Sequence, residues 1–411
     1  MGAVRVRAVL VAALSPLAAA ACVSHAAAPA ERSSPVASTP GAADVDSTLF
    51  ARTLVVQCAR VREGDMVLVS GAPKDARFLE DVATEVRRVG AHPLVWLESD
   101  RLKRRSIIEV PEEFDEQAPA WRMRLADIVD AEIVIDGSED ESLLADVSPR
   151  RIAAMERAAL PVTRTLMDRG VRQVYVGNDL RPTADRAKRF GMTEAALGRA
   201  YRAALDVDYA ALEATGRKLS GAVGSATELH LTAANGTDLR FGVGGRRAYV
   251  SDGVISADDV AKGGAALMTW LPAGEAFVSA VPGTAEGKIV VDRDTWDGAE
   301  YRNLVLTFHQ GRLVSMTGES GTDRLTAAYA AGGAGKDVFG GVDIGFNPAL
   351  ATPAGTSMRS YAVSGNVTVA FGASTWLGGD DACDFGFTAS LAGATLEADG
   401  RAIVKSGAIV R

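Results

Sequence analysis

Histidine and cysteine are both scarce in this chain, four and three in 411 residues. Three cysteines cannot build a disulfide scaffold. Four histidines leave few candidates for an imidazole-rich metal site. Basic residues are outnumbered, 44 Lys and Arg against 52 Asp and Glu, for a net charge of −8. That balance excludes the concentrated basic surface of a nucleic-acid binder. No apolar run reaches the ~20 residues of a membrane-spanning helix in a mature chain. Three catalytic signatures are also missing: a phosphate loop ending Gly-Lys-Ser/Thr, a Gly-x-Ser-x-Gly nucleophile elbow, and a His-Glu-x-x-His helix. What the chain does have is hydrophobic content, 47%, enough for a buried core over two to three domains.

Arg5 and Arg7 precede an Ala-rich apolar stretch from Ala8 to Ala21, the pattern of an export signal. It closes Leu17-Ala18-Ala19-Ala20-Ala21-Cys22, which resembles a lipoprotein cleavage site with Cys22 as the lipidated residue, though Ala19 stands where Leu is usual. Simple secretion is the alternative. Lipidation implies a protein exported and anchored in the cell envelope or periplasm, touching the membrane through its lipid only. Residues 1–22 are therefore taken as a signal peptide with a lipoprotein-like Cys. Residues 23–43, rich in Ala, Ser, Pro and Thr, form a flexible linker. Cys58 and Cys383 remain, either as a disulfide in an oxidising compartment or as two buried thiols.

From Asp44 to about residue 220, strand and helix signals alternate. Met66–Val69, Pro93–Leu97, Ile133–Ile135 and Gln173–Val176 are short apolar runs bounded by turn residues. Helical stretches fall between them, near Ala76–Val89, Pro149–Ala159 and Ala184–Phe190. Such alternation predicts an N-terminal parallel α/β domain covered on both faces. From 221 to 411 glycine becomes frequent and helical runs fade. Strands are expected at Leu229–Thr232, Leu239–Phe241, Lys288–Val291, Leu304–Phe308, Leu313–Met316, Asn366–Phe371 and Ala402–Val404, with a hairpin turn at Asn235-Gly236. This half is read as an antiparallel-rich α+β domain. Gly242-Val243-Gly244-Gly245 is a turn rather than a dinucleotide fingerprint. His25, His92, His230 and His309 are scattered, and each has an ordinary structural reading.

One ordered set of residues is specific. His230 and Thr232, Gly236 and Asp238, Ser251-Asp252-Gly253, Leu271-Pro272-Ala273-Gly274-Glu275-Ala276-Phe277, and finally Gly345-Phe346-Asn347-Pro348 follow one another. In that order and spacing they resemble the aminopeptidase T (thermophilic aminopeptidase) family of metallopeptidases, over about residues 44–411. The resemblance implies an N-terminal α/β domain, a C-terminal catalytic domain and a homodimer. It also implies a dinuclear metal site (Zn, Co or Mn) that activates water and polarises a scissile peptide carbonyl. On it, Glu275 is the first metal ligand, against the alternative of a solvated or capping loop carboxylate. The position of the bridging Glu is Gly341, with Asp343 two residues on. The next ligand, a His, corresponds to Thr368. An expected Tyr is replaced by Thr375 or Trp376. The final His-x-Asp corresponds to Ala382-Cys383-Asp384, leaving Asp384 as the second metal candidate.

Two of five ligands thus remain, and no His follows His309. Asp380, Asp381 and Asp384 with Cys383 offer a substitute set, for which Ca²⁺, Mg²⁺ or Mn²⁺ suits the oxygens. The alternative is a polar turn at Gly378-Gly379-Asp380-Asp381. A sister group, ring-cleaving dihydroxypyridine dioxygenases, needs two His and an Asp, and both His are absent here. Three functions follow: a degenerate member binding a peptide, another small ligand or a protein partner; an active exopeptidase with a rebuilt site; or a structural envelope component. They part on whether Glu275, Asp343, Asp381 and Asp384 converge.

Overall fold

The computed structural model describes residues 47–410; the expected export signal, Cys22, His25 and the expected linker at 23–43 lie outside the described residues. The chain opens with α1 (Ser47–Thr53), then β1 (Met66–Gly71), α2 (Ala76–Arg88), β2 (His92–Leu97), α3 (Asp100–Ile108), α4 (Ala120–Ala126), β3 (Ala131–Ile135), α5 (Pro149–Asp168) and β4 (Arg172–Val176). Three helices follow: α6 (Ala184–Phe190), α7 (Glu194–Leu205) and α8 (Tyr209–Gly224). Each is started by a side-chain cap: Thr183, Thr193 and Asp208 accept from backbone N–H groups that the first turn leaves unpaired.

The second half holds β5 (Glu228–Thr232), β6 (Asp238–Gly242), β7 (Ala248–Ser251), α9 (Ala257–Lys262), β8 (Met268–Leu271) and β9 (Glu275–Ser279). The long hairpin of β10 (Glu286–Trp296) and β11 (Ala299–His309) comes next, then β12 (Arg312–Thr317), α10 (Asp323–Ala331), β13 (Phe339–Gly345), β14 (Val367–Gly372) and β15 (Gly386–Leu391). The chain ends in β16 (Thr395–Ala398), β17 (Arg401–Lys405) and β18 (Ala408–Ile409).

Three sheets result. The first is parallel, in the order β2-β1-β3-β4-β8, so its fifth strand comes from beyond residue 221. The second is antiparallel, β12-β11-β10-β6-β5-β16-β17-β18, and the third, also antiparallel, is β15-β14-β13-β9-β7. The α/β class expected from the alternating pattern is therefore present, with parallel pairing first and antiparallel pairing after it. One hydrophobic cluster runs from Ala51 through Val174, Leu219 and Val278 to Val404 and ties the sheets together.

The segment that carries the resemblance has a structural purpose. Leu271 ends β8 in the parallel sheet and Glu275 begins β9 in the third sheet, so Pro272-Ala273-Gly274 is the crossover between two sheets. The Gly345-Phe346-Asn347 turn closes on it: Phe346 N donates to Gly274 O, and Asn347 Nδ2 donates to Ala273 O and Ala204 O. Gly274 has φ +124°, and a Cβ there would lie 2.7 Å from Asn347 N, so only glycine lets the two turns meet.

Cys58 and Cys383 are both buried free thiols. Burial, with Asp252 nearby, pushes the Cys58 thiol up to about 12; burial likewise pushes Cys383 up to about 11. Both are inert at neutral pH. His92, His230 and His309 lie on strands; His230 Nε2 is 2.8 Å from Asp238 and His309 Nδ1 is 3.0 Å from Glu286. Gly244 and Gly245 form a turn, as expected.

Candidate functional site

Glu275 is wholly buried at the first position of β9. This corrects the alternative of a solvated loop carboxylate. Its Oε1 accepts a hydrogen bond from Asn178 Nδ2 at 2.7 Å, and the same amide donates to Pro272 O, also at 2.7 Å. Asn178 lies just past the carboxyl end of β4, in a Gly177-Asn178-Asp179 turn whose three residues all have positive φ. Asn and Asp are the non-glycine residues that tolerate this conformation best. The end of the parallel sheet thus presents an amide to a carboxylate 97 residues away. Sequence reasoning missed Asn178, and the Gly-Asn-Asp run directly after a strand was its only local signal.

Directly opposed residues on antiparallel strands share a face, and so do residues two apart on one strand. Asp343 of β13 is opposite Phe277 of β9 and Thr368 of β14, and Thr368 is opposite Ser390 of β15. Glu275, Asp343, Thr368, Ser390 and Thr388 therefore stand on one face. The fold does bring Glu275 and Asp343 together as diagonal neighbours, both buried.

Asp384 and Asp381 are not part of that group. Asp384 precedes β15, whose first residue, Gly386, pairs with Gly372 at the far end of the sheet. The Glu275 end is the Leu391 end, and β15 alone spans roughly 17 Å at ~3.3 Å per residue. Asp384 Oδ1 accepts from Gly333 N at 2.6 Å and Oδ2 lies 3.1 Å from Arg157. Asp380 pairs with Arg246, 3.3 Å away. Burial and the neighbouring Asp380 raise the pKa of Asp381. Gly378 takes a left-handed conformation with Asp380 and Asp381 beyond it, the polar-turn alternative. A His-x-Asp pair contributed to the Glu275 face by β15 would occupy alternate positions such as 386 and 388, and those residues here are Gly386 and Thr388.

The face carries hydroxyls and rings rather than further carboxylates or imidazoles. Thr368 Oγ1 and Ser390 Oγ are hydrogen-bonded at 2.9 Å, Asn366 Nδ2 donates to Thr368 Oγ1, and Tyr361 Oη meets Thr388 Oγ1 at 2.9 Å. Above them Trp270, Phe277, Tyr361 and Trp376 interlock with ring centroids 5.9 to 6.3 Å apart. Trp376, at one of the two positions where the resemblance expects Tyr, is buried in this cluster. A divalent metal wants deprotonated carboxylates, imidazoles or thiolates around one point. Two carboxylates beside threonine and serine hydroxyls and indole rings do not fit a dinuclear centre. Among the described residues no three His, Cys, Asp or Glu side chains form a group able to hold a metal ion.

Comparison with known proteins agrees with the sheet architecture. A family model described as thermophilic metalloprotease (M29) matches residues 46–342. Wild-type AmpT from Thermus thermophilus superposes with a TM-score of 0.66 at 19% identity, over 89% of this chain and 99% of that one. A 2,5-dihydroxypyridine dioxygenase from Pseudomonas putida KT2440 superposes with a TM-score of 0.56 at 15% identity, over 90% of this chain and 98% of that one. No curated protein matches.

Proposed function

Because the chain belongs to the thermophilic metalloprotease (M29) family, we propose that it is an exported member that keeps the aminopeptidase fold, has lost dinuclear hydrolysis, and binds a small ligand instead. The observation that carries this is the content of the Glu275 face. Gly341 and Thr368 stand at positions where the family resemblance calls for a Glu and a His. Hydroxyl pairs line this face, with the buried Trp376 packed above them. A two-metal mechanism depends on a bridging carboxylate to hold both ions over the scissile carbonyl, and Asp343 is held against Phe277 and Thr368 rather than at position 341. The export signal before Cys22 supports an envelope location.

The test is direct. The purified protein, incubated with Zn²⁺, Co²⁺ or Mn²⁺ and desalted, is expected to retain less than one equivalent of metal by elemental analysis. It is expected to release no amino acid from a panel of aminoacyl substrates above a buffer blank. Two tightly held equivalents together with turnover would sink the proposal in favour of an active metal-dependent aminopeptidase with a rebuilt site.

A further inference from the structure

A cleft of about 160 Å³ opens beside the Glu275 face, bounded by Ser390 and Tyr361 on one side and by Lys188, Arg189, Arg293 and Arg359 on another. It continues outward past Gly191 and Thr356. Four cations around one cleft are unusual in a chain of net charge −8. Three of them are held in place by acids: Arg189 by Asp179 at 2.9 Å, Arg359 by Asp294 at 2.9 Å, and Arg293 by Glu300 at 3.1 Å. Arg189 also reaches Glu141 at 3.1 Å. Within the lining itself four cations, Lys188, Arg189, Arg293 and Arg359, face three acids, Asp179, Asp294 and Glu300, which leaves one surplus positive charge.

One donor is left over as well. Arg189 is almost fully buried, yet its Nε–H has no hydrogen-bond acceptor. Arg359, paired with Asp294 through Nη1, keeps its side chain 28% exposed and lines the same cleft. Buried N–H groups are almost always paired, so an unpaired guanidinium donor beside a cleft asks for an acceptor from outside the chain. Guanidinium forks fixed by acids behind them match the two oxygens of a carboxylate or phosphate, and a nearby lysine adds charge without geometry.

We propose that this cleft binds the oxyanion, carboxylate or phosphate, of a small molecule, with Arg189 as the buried donor, Arg359 in the lining and Lys188 at the rim. This rests on the non-hydrolytic, ligand-binding reading and names its ligand class. The test is calorimetric titration of the purified protein, under EDTA, with inorganic phosphate, succinate and triglycine. At least one probe is expected to bind saturably at a single site. Lys188→Gln should weaken it about 3- to 10-fold and Arg359→Gln more than 10-fold, and affinity should fall as NaCl rises. Phosphate binding alone assigns the site to phosphorylated ligands; succinate or triglycine binding assigns it to carboxylates. No saturable binding by any probe overturns the proposal, as does binding that Lys188→Gln leaves unchanged. Lys188 is exposed, so its variant stays informative if Arg359→Gln, which strands the buried Asp294, does not fold. Hydrolysis by metal-loaded protein would overturn the non-hydrolytic reading without altering this result, because the titration is made under chelation.

Discussion

Asp252 shows how a single half-buried carboxyl sets a pH response away from the Glu275 face. It follows Ser251 at the end of β7, and its Oδ1 accepts from Val254 N at 3.1 Å. Burial, only partly offset by that hydrogen bond, raises its pKa from 3.8 to about 6. A folded-state pKa above the unfolded value means that the native state binds more protons between pH 4 and 6. The contribution is therefore complete below about pH 4 and is lost as pH rises through 6. Asp252→Asn keeps the oxygen acceptor and removes the charge. It should raise stability at pH 7.5 by on the order of 2 kcal/mol and flatten the fall between pH 4 and 6. Urea midpoints at pH 4.0, 5.0, 6.0 and 7.5 measure this, and a variant no more stable than the wild type at pH 7.5 contradicts it. At this scale the sequence was legible only for residues inside a pattern. Glu275 stood in a motif, whereas Asn178, its hydrogen-bond partner, did not, because a contact across 97 residues leaves no periodic trace.

At the scale of elements, β1 through β4 were readable because each contains a short apolar run between turn residues. β9 and β13 were not. Both are buried at every position, so neither alternates, and Phe339-Gly340-Gly341 is rich in a residue that strands avoid. The glycine at 341 is itself informative. It has φ +144°, it sits at a register shift between β13 and β14, and a Cβ there would lie 2.2 Å from Val278 O and 2.8 Å from Ser279 Cα. Neighbouring backbone cannot yield as a flexible side chain can. Restoring the bridging carboxylate by Gly341→Glu should therefore cost stability, ~2–4 kcal/mol from backbone conformation and overpacking, and should not create a metal site. Denaturation and elemental analysis of Gly341→Glu and Gly341→Ala test this together. Equal losses in both locate the cost in the backbone. A stable Gly341→Glu protein that takes up metal would show that the site is one substitution from competence.

For the whole molecule, the expected division near residue 220 meets a core that crosses it. Leu212, Leu219 and Val223 on α8 share one hydrophobic cluster with Val69 and Val174 before them and with Val278 and Ile344 after them. Gly216 of α8 lies so close to β7 that a Cβ would be 2.4 Å from Val250 Cγ1. The parallel sheet is completed by β8, which pairs with β4 from Gln173↔Met268 to Val176↔Leu271. A fragment spanning 44–224 would lack that strand, leave β4 as an open edge, and expose the apolar side of α8 to water. It should not fold alone, giving neither a near-ultraviolet circular dichroism signal nor a cooperative melt. The intact chain should unfold in one transition, although chains of several domains commonly show more than one. Tryptophan positions allow a check: Trp96 and Trp121 stack in the first half, and Trp270 and Trp376 pack in the second. Variants retaining only one of these pairs should report the same urea midpoint. Midpoints that separate, or a 44–224 fragment that melts cooperatively, would show that the two halves are independent units and that the shared cluster is only an interface between them.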